Sequence, residues 1–174
     1  MTNSISVNTP SLNTLDFVNK CYAFNFIAGK APQFTLNDID SQVKLIEEEV
    51  QEARDGVTAN SAAEVLDGAI DVLVTAFGLL QKLEYAGIDT GKALSLIAEN
   101  NMQKFTSDID IAKATVQKYK HEGVETYYIP FGNLYVIKRF SDNKIMKPIG
   151  FKSVDLSECI PEGLVFATKE EYAN

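Results

Sequence analysis

Two acidic runs on segments patterned as helices constrain this chain more than anything else in it. The first is Leu45-Ile46-Glu47-Glu48-Glu49-Val50-Gln51-Glu52; the second is Glu64-Val65-Leu66-Asp67-Gly68-Ala69-Ile70-Asp71. At about 100° per residue, Glu49 and Glu52 project on one side, Glu48 lies close to Glu52, and Glu64, Asp67 and Asp71 share a sector. Leu66, Ile70, Leu73, Phe77 and Leu80 form an apolar stripe on the second segment, and Val65, Val72, Ala76 and Leu79 form another. The acids are therefore expected between two apolar surfaces and not on a fully solvated face. A solvated face would suffice to explain Glu47-Glu48-Glu49 alone. It does not explain a long apolar helix that keeps acids at i, i+3 and i+7. Carboxylates crowded in this way repel unless cations neutralise them. An all-oxygen donor set suits Mg²⁺ or Mn²⁺, hard ions that also bridge phosphate oxygens. The pattern predicts a divalent-metal site between two antiparallel helices, built for a polyphosphate substrate.

Around these runs the chain reads as mainly helical. Thr14 can cap a first helix, with Leu15, Val18, Tyr22 and Phe26 at helical spacing, ended by Gly29-Lys30-Ala31-Pro32. A second helix starts near Thr35 or Asn37 and runs through the first acidic cluster to Gly56. The short link that follows favours a helical hairpin. A third helix over about residues 61–86 stops at Gly87, and Asp89 or Thr90 caps a fourth that ends near Phe105. A fifth follows Ser107 as far as Gly123. Beyond Glu125 the pattern becomes β-rich: Thr126 to Ile129 and Leu134 to Ile137 flank a turn at Pro130-Phe131-Gly132-Asn133, with Ile145-Met146 as a short return strand. Residues 1–11 read as a loose polar arm, and the stretch after Pro148 as irregular. The expectation is one domain over 1–174, with a helical core at 12–120 and a β-hairpin and irregular tail at 121–174.

Composition excludes several classes of function. A net charge of −8 argues against non-specific binding to nucleic acid or anionic membranes. It leaves a nucleotide substrate open, because a bound metal inverts the local field. Cys21 and Cys159 form no metal or redox spacing and point to a reducing compartment. With no signal-peptide pattern at Met1-Thr2-Asn3-Ser4-Ile5-Ser6 and no uninterrupted apolar span, a cytoplasmic protein is expected. The solitary His121 removes Glu-x-x-His di-iron chemistry and histidine triads, and no phosphate-binding glycine loop is present. Asn101 and Lys104, three residues apart, follow the third helix closely enough to face the acidic site. A lysine there could hold phosphates, and an asparagine could meet sugar or base edges.

Glu48-Glu49-Val50-Gln51-Glu52 followed by Glu64-Val65-Leu66-Asp67 resembles the ordered Glu-Glu-x-x-Glu and Glu-x-x-Asp signature of the MazG-like nucleoside triphosphate pyrophosphohydrolases. Phe17, Ala23-Phe24, the link from Gly29 to Pro32, Asn101-Met102-Gln103-Lys104 and the tail from Lys147 to Ser157 are also similar to small phage and bacterial members related to phosphoribosyl-ATP pyrophosphohydrolase. The resemblance implies an antiparallel helix bundle of the all-α pyrophosphohydrolase type with a small C-terminal β-hairpin. It implies cleavage of a (deoxy)nucleoside triphosphate to the monophosphate and pyrophosphate with Mg²⁺, Mn²⁺ being a possible substitute. It also implies a homodimer or homotetramer. Glu48, Glu49, Glu52, Asp67 and Asp71 would hold the metal, with Glu64 as a further ligand; Glu48 is the foremost general base, and Asn101 and Lys104 would contact substrate. One departure leaves two registers open. Relatives align their second acid with Asp71, which puts Gly68 where the partner Glu should stand, so the second metal pair is Glu64 with Asp67 or Asp67 with Asp71. Two other readings belong beside this one: a phosphoribosyl-ATP or dUTP-specific hydrolase on the same scaffold, and a non-catalytic helical interaction protein.

Overall fold

The structure is a computed structural model and describes residues 14–30 and 34–167. It is mainly helical with a small antiparallel sheet, in the order α1 (Thr14–Ile27), α2 (Leu36–Thr58), α3 (Ala62–Tyr85), α4 (Thr90–Met102), β1 (Phe105–Thr106), α5 (Ile109–His121), β2 (Thr126–Phe131) and β3 (Leu134–Arg139). The described residues fall into two compact units. A helical unit runs to Thr90 and takes back residues 157–167, while an α/β unit spans Gly91–Leu156. Among the described residues no helix is long and apolar enough to cross a membrane. The arm at 1–11 and residues Ala31 and Pro32 of the first link lie outside the described residues.

The helical unit is organised by the α2–α3 hairpin. Thr35 caps α2 through a reciprocal pair with Asp38: the Asp38 amide donates to the Thr35 hydroxyl at 3.2 Å, and the Thr35 amide donates to Asp38 Oδ2 at 3.0 Å. Asn60, in the left-handed region at φ 53°, ends the helix. It lets Ser61 N–H reach back to the Gly56 carbonyl at 2.9 Å and its own N–H reach Val57 at 3.1 Å. Ser61 then caps α3. The link is short because one residue both closes α2 and reverses the chain.

The pairing is unusually close where the acids lie. A methyl group on Gly68 would meet the Ala53 nitrogen at 2.7 Å, and one on Gly56 would meet the Val65 nitrogen at 2.8 Å. Further along, Gly78 faces the Gln42 side chain, whose amide donates to the Thr75 carbonyl at 2.9 Å. The matched positions 53 with 68, 56 with 65 and 42 with 78 run in opposite directions, so the hairpin is antiparallel. α1 packs on α3 through an edge-on contact of Phe17 and Phe77.

The interior of this unit is more polar than the stripes of Leu and Val predict. Asn25, Gln42, Gln81 and Lys82 are buried. Gln81 donates to the Tyr22 carbonyl at 3.2 Å, and Lys82 Nζ to the Lys30 carbonyl at 2.6 Å, which closes the C-terminal end of α1. Burial pushes the Lys82 ammonium below its ordinary pKa, with Asp38 opposing the shift. Among the described residues of the unit, Cys21 and Cys159 are the buried apolar side chains. Leu66 is 64% exposed, Ile70 40% and Leu73 46%, so the N-terminal part of the first apolar stripe is uncovered in a single chain, while Phe77 is packed by α1.

In the α/β unit the sheet order is β1-β3-β2, with Phe105 opposite Val136 and Phe131 opposite Leu134. α5 packs on this sheet and buries Ala112 and Thr115 completely, as β3 does Ile137. The predicted hairpin is present, with a tighter turn of Gly132 and Asn133. Pro130 and Phe131 belong to β2, an edge strand where a residue without an N–H is tolerated. The fourth helix ends at Met102, and Phe105, expected at its end, forms β1 with Thr106. Ile145 forms a single bridge to Lys138 in place of a strand. Among the described residues after Pro148, up to 167, the chain is irregular apart from a 3₁₀ turn at Ser157–Cys159.

The Gly68 contact sets a test. Gly68→Ala gains helix propensity of about 1 kcal/mol, yet its methyl must displace the Ala53 backbone, an overpacking cost of about 1–3 kcal/mol. The variant is expected to unfold at lower urea concentration than the parent, whereas Ala69→Gly, on the exposed side, should lose only the propensity term.

Candidate metal and substrate site

Each carboxylate of the site owes its position to the α2–α3 crossing. Because Gly56 and Gly68 carry no Cβ, the helices approach closely enough for acids of one to face acids of the other. Glu49 and Asp71 are half-buried, whereas Glu48, Glu52, Glu64 and Asp67 are exposed. The expectation that all the acids lie sheltered between apolar surfaces is thus corrected. The stripe that would shelter them, Leu66, Ile70 and Leu73, faces outward in the single chain.

Glu49 is the centre of the cluster. Its pKa is raised, first by loss of hydration and then by the charges of Glu52, Asp71, Glu48 and Asp67, in that order. Four of the other predicted ligands are therefore close enough to Glu49 to oppose its ionisation. Glu64 sits differently: with Glu52, Asp55, Asp67 and Gly68 it lines a cleft of about 230 Å³ at the crossing. Asp67 and Glu52 belong to both groupings. Asp71 stands on the Glu49 side, and Glu64 on the cleft side.

The donor set is chemically suited to a hard divalent cation, being all carboxylate and mutually repulsive. Among the described residues, however, no three His, Cys, Asp or Glu side chains converge closely enough to hold one ion as they stand. Side-chain rotation at exposed Glu48, Glu52, Glu64 and Asp67 is the motion that coordination would require.

Asp55 was not singled out from the sequence. It lines the cleft and accepts a hydrogen bond from Gln51 Nε2 at 2.7 Å. Its spacing from Glu52 (i, i+3) is the signal that could have found it. The amides of Asn25, Gln42 and Gln81 were missed too, because a period-3.6 reading assigns interior positions to apolar residues.

Asn101 and Lys104 belong to the α/β unit, at the end of α4 and just beyond it. Lys104 Nζ donates to Asn101 Oδ1 at 2.7 Å. The structure joins these two to each other, and groups the carboxylates separately on α2 and α3.

The raised Glu49 pKa carries a sign that can be measured. A carboxyl that holds its proton more tightly when folded stabilises the fold at pH below its ordinary value of 4.5, and that contribution disappears as pH rises through the raised value. Asp142 acts in the opposite sense and in a lower window. Its hydrogen bond from Arg139, helped by the Lys144 amide, lowers its pKa from 3.8 to about 2, so its contribution is lost only as pH falls through that range. The melting temperature of the metal-free parent minus that of Glu49→Gln is therefore expected to fall as pH climbs from 4.5. A difference that rises over that range would contradict the crowding.

Compared with known proteins, the chain matches no family model, and no curated relative or solved structure resembles it at a significant level.

Proposed function

We propose that this chain is a divalent-metal-dependent nucleoside triphosphate pyrophosphohydrolase of the MazG-like all-α type, converting a (deoxy)nucleoside triphosphate to the monophosphate and pyrophosphate. The observation that carries the reading is the crowding of Glu48, Glu52, Asp67 and Asp71 around Glu49 across two helices. Such crowding costs stability in the free protein, and a cation bridging to phosphate oxygens would relieve it.

Glu49, Glu52, Asp67 and Asp71 would hold Mg²⁺ or Mn²⁺, with Glu48 or Glu64 completing the set. The ion, when bound, neutralises charge on the phosphates and lowers the pKa of water. The remaining work falls to the chain. Glu48, exposed and beside Glu49, accepts the proton of the attacking water as general base. The resemblance would give Lys104 the balancing of phosphate charge and Asn101 the orientation of the nucleotide. Loss of water around Glu49 would strengthen the hold of the neighbouring carboxylates on a cation.

The uncovered stripe of Leu66, Ile70 and Leu73 supports a homodimer or homotetramer as the working form, since monomers rarely leave such runs on one helix face to water. The reading also places the protein in the cytoplasm.

The test is a panel of common and modified nucleotides with Mg²⁺, scored for pyrophosphate against phosphate release. Pyrophosphate is the expected product. Glu49→Gln and Asp67→Asn should each lower turnover by roughly 100-fold or more, as removal of a group that stabilises transition-state charge does, with circular dichroism preserved and the urea midpoint no lower than the parent's. Mg²⁺ should raise the parent's melting temperature, and Glu49→Gln should blunt that rise. Near-normal turnover in either variant would overturn the site. Absence of any metal effect on melting or turnover would favour a non-catalytic interaction protein.

A further inference from the structure

A second cluster of functional side chains lies wholly within the α/β unit. Lys118, Tyr119, Lys147, Pro148, Ile149, Gly150 and Phe151 line a groove of about 350 Å³ between the last turn of α5 and the segment after β3. That volume sits at the lower end of the range for small-molecule pockets, roughly 300–1,000 Å³.

The walls are tied down on both sides. Met146 N–H donates to the Ile137 carbonyl at 2.9 Å, which holds the entry to the segment against β3. Tyr119 donates its hydroxyl proton to the Lys147 carbonyl at 3.0 Å. Ile149 N–H donates to the fully buried Thr115 hydroxyl at 3.0 Å. Phe151 N–H closes a turn on the Pro148 carbonyl at 3.1 Å, with Gly150 at φ 86° in the position that demands a left-handed residue. Four hydrogen bonds thus fix a segment with no secondary structure of its own, so the groove is preformed.

Its charge is also arranged. Lys118 Nζ lies 5.3 Å from the Tyr119 ring centre, and Lys147 Nζ lies 4.8 Å from that of Phe151. Each ammonium is thereby restrained at the wall it belongs to. Lys118 also pairs with exposed Glu122 at 3.7 Å, a loose pair that competes weakly with a multivalent anion. The setting favours an anion as well: residues 91–156 carry ten of the chain's 16 Lys and Arg but seven of its 24 Asp and Glu. A dianion between two ammoniums balances in charge, and lysine is an apt point-charge partner for phosphate.

We propose that this groove binds a small organic phosphate, its phosphate between Lys118 and Lys147 and its organic body against Tyr119, Ile149 and Phe151. The site shares no residue with the carboxylates of α2 and α3, needs no divalent ion, and does not depend on the hydrolase reading. Its size limits the ligand to about one nucleotide or sugar phosphate.

The experiment uses the full chain in EDTA, so that no divalent ion carries phosphate to the acidic helices. Adenosine 5′-monophosphate, inorganic phosphate and adenosine are titrated separately while backbone amide shifts are followed. Saturable shifts at Tyr119, Ile149, Gly150 and Phe151 are expected with the monophosphate. Inorganic phosphate should move the same amides at about tenfold weaker affinity, and adenosine should not reach saturation. Lys147→Gln should weaken the monophosphate by about tenfold and Lys147→Arg should restore it; Lys118→Gln gives an independent check should the first variant fold poorly. Adenosine binding as tightly as the monophosphate, unchanged affinity in both glutamine variants, or no saturable shift at millimolar ligand would overturn the proposal. So would a single-stranded oligonucleotide that binds more tightly than the monophosphate and spreads its shifts along α5 and β3, which would mark a nucleic-acid surface instead.

Discussion

The close crossing of α2 and α3 is the constraint on which the helical unit depends. Gly68 lies against the Ala53 backbone and Gly56 against Val65, so neither position admits a side chain without moving a helix. The same closeness that packs the hairpin also sets carboxylates of one helix against those of the other. Packing and electrostatics are therefore in conflict at one place: each increment of helix approach that improves dispersion contacts also raises the cost of ionising Glu49. A structure under packing selection alone would have no reason to keep that conflict. This is why the proposed function rests on the crowding more than on the number of acids.

The closeness of the crossing also explains why position 68 is a glycine. A carboxylate at position 68 would sit inside the crossing and push the hairpin apart. With glycine there, acids remain on both sides of the contact, Asp71 toward Glu49 and Glu64 in the cleft with Glu52 and Asp55. Asp67 is common to both sides, which makes it the residue whose loss either register would feel.

Much of the fold was legible because it is local. Thr35, Ser61 and Asp108 cap helices through their own side chains, and the helices begin where such residues stand before a periodic run. The hairpin of β2 and β3 was legible from β-branched and aromatic runs around Gly132-Asn133. What was not legible depends on partners distant in sequence. β1 exists because Phe105 and Thr106 find Val136 and Tyr135 some thirty residues on, and nothing in a two-residue strand announces that. The buried amides are a similar case. Gln42 is satisfied by the Thr75 carbonyl, and a sequence pattern cannot show that a backbone acceptor across the hairpin awaits it. For the site, helical spacing relates Glu48, Glu49 and Glu52 to one another, whereas the influence of Asp67 and Asp71 on Glu49 depends on how the hairpin pairs. Spacing likewise relates Asp55 to Glu52, but its place in the cleft depends on the helix opposite.

Whole-chain charge proved a coarse guide for the same reason. A net charge of −8 describes neither unit: the acids concentrate in and around α2 and α3, while Lys and Arg outnumber Asp and Glu over 91–156. Screening confines the influence of an exposed charge to about 10 Å at ordinary ionic strength, so a ligand responds to the residues beside it and not to the sum over the chain. An acidic cluster calls for a cation before it can meet a phosphate, whereas Lys118 and Lys147 can meet one directly. The two proposed sites thus differ in whether a phosphate would need a metal to be held. Chelation separates them: it should abolish whatever the carboxylates of α2 and α3 hold and leave the groove on α5 untouched.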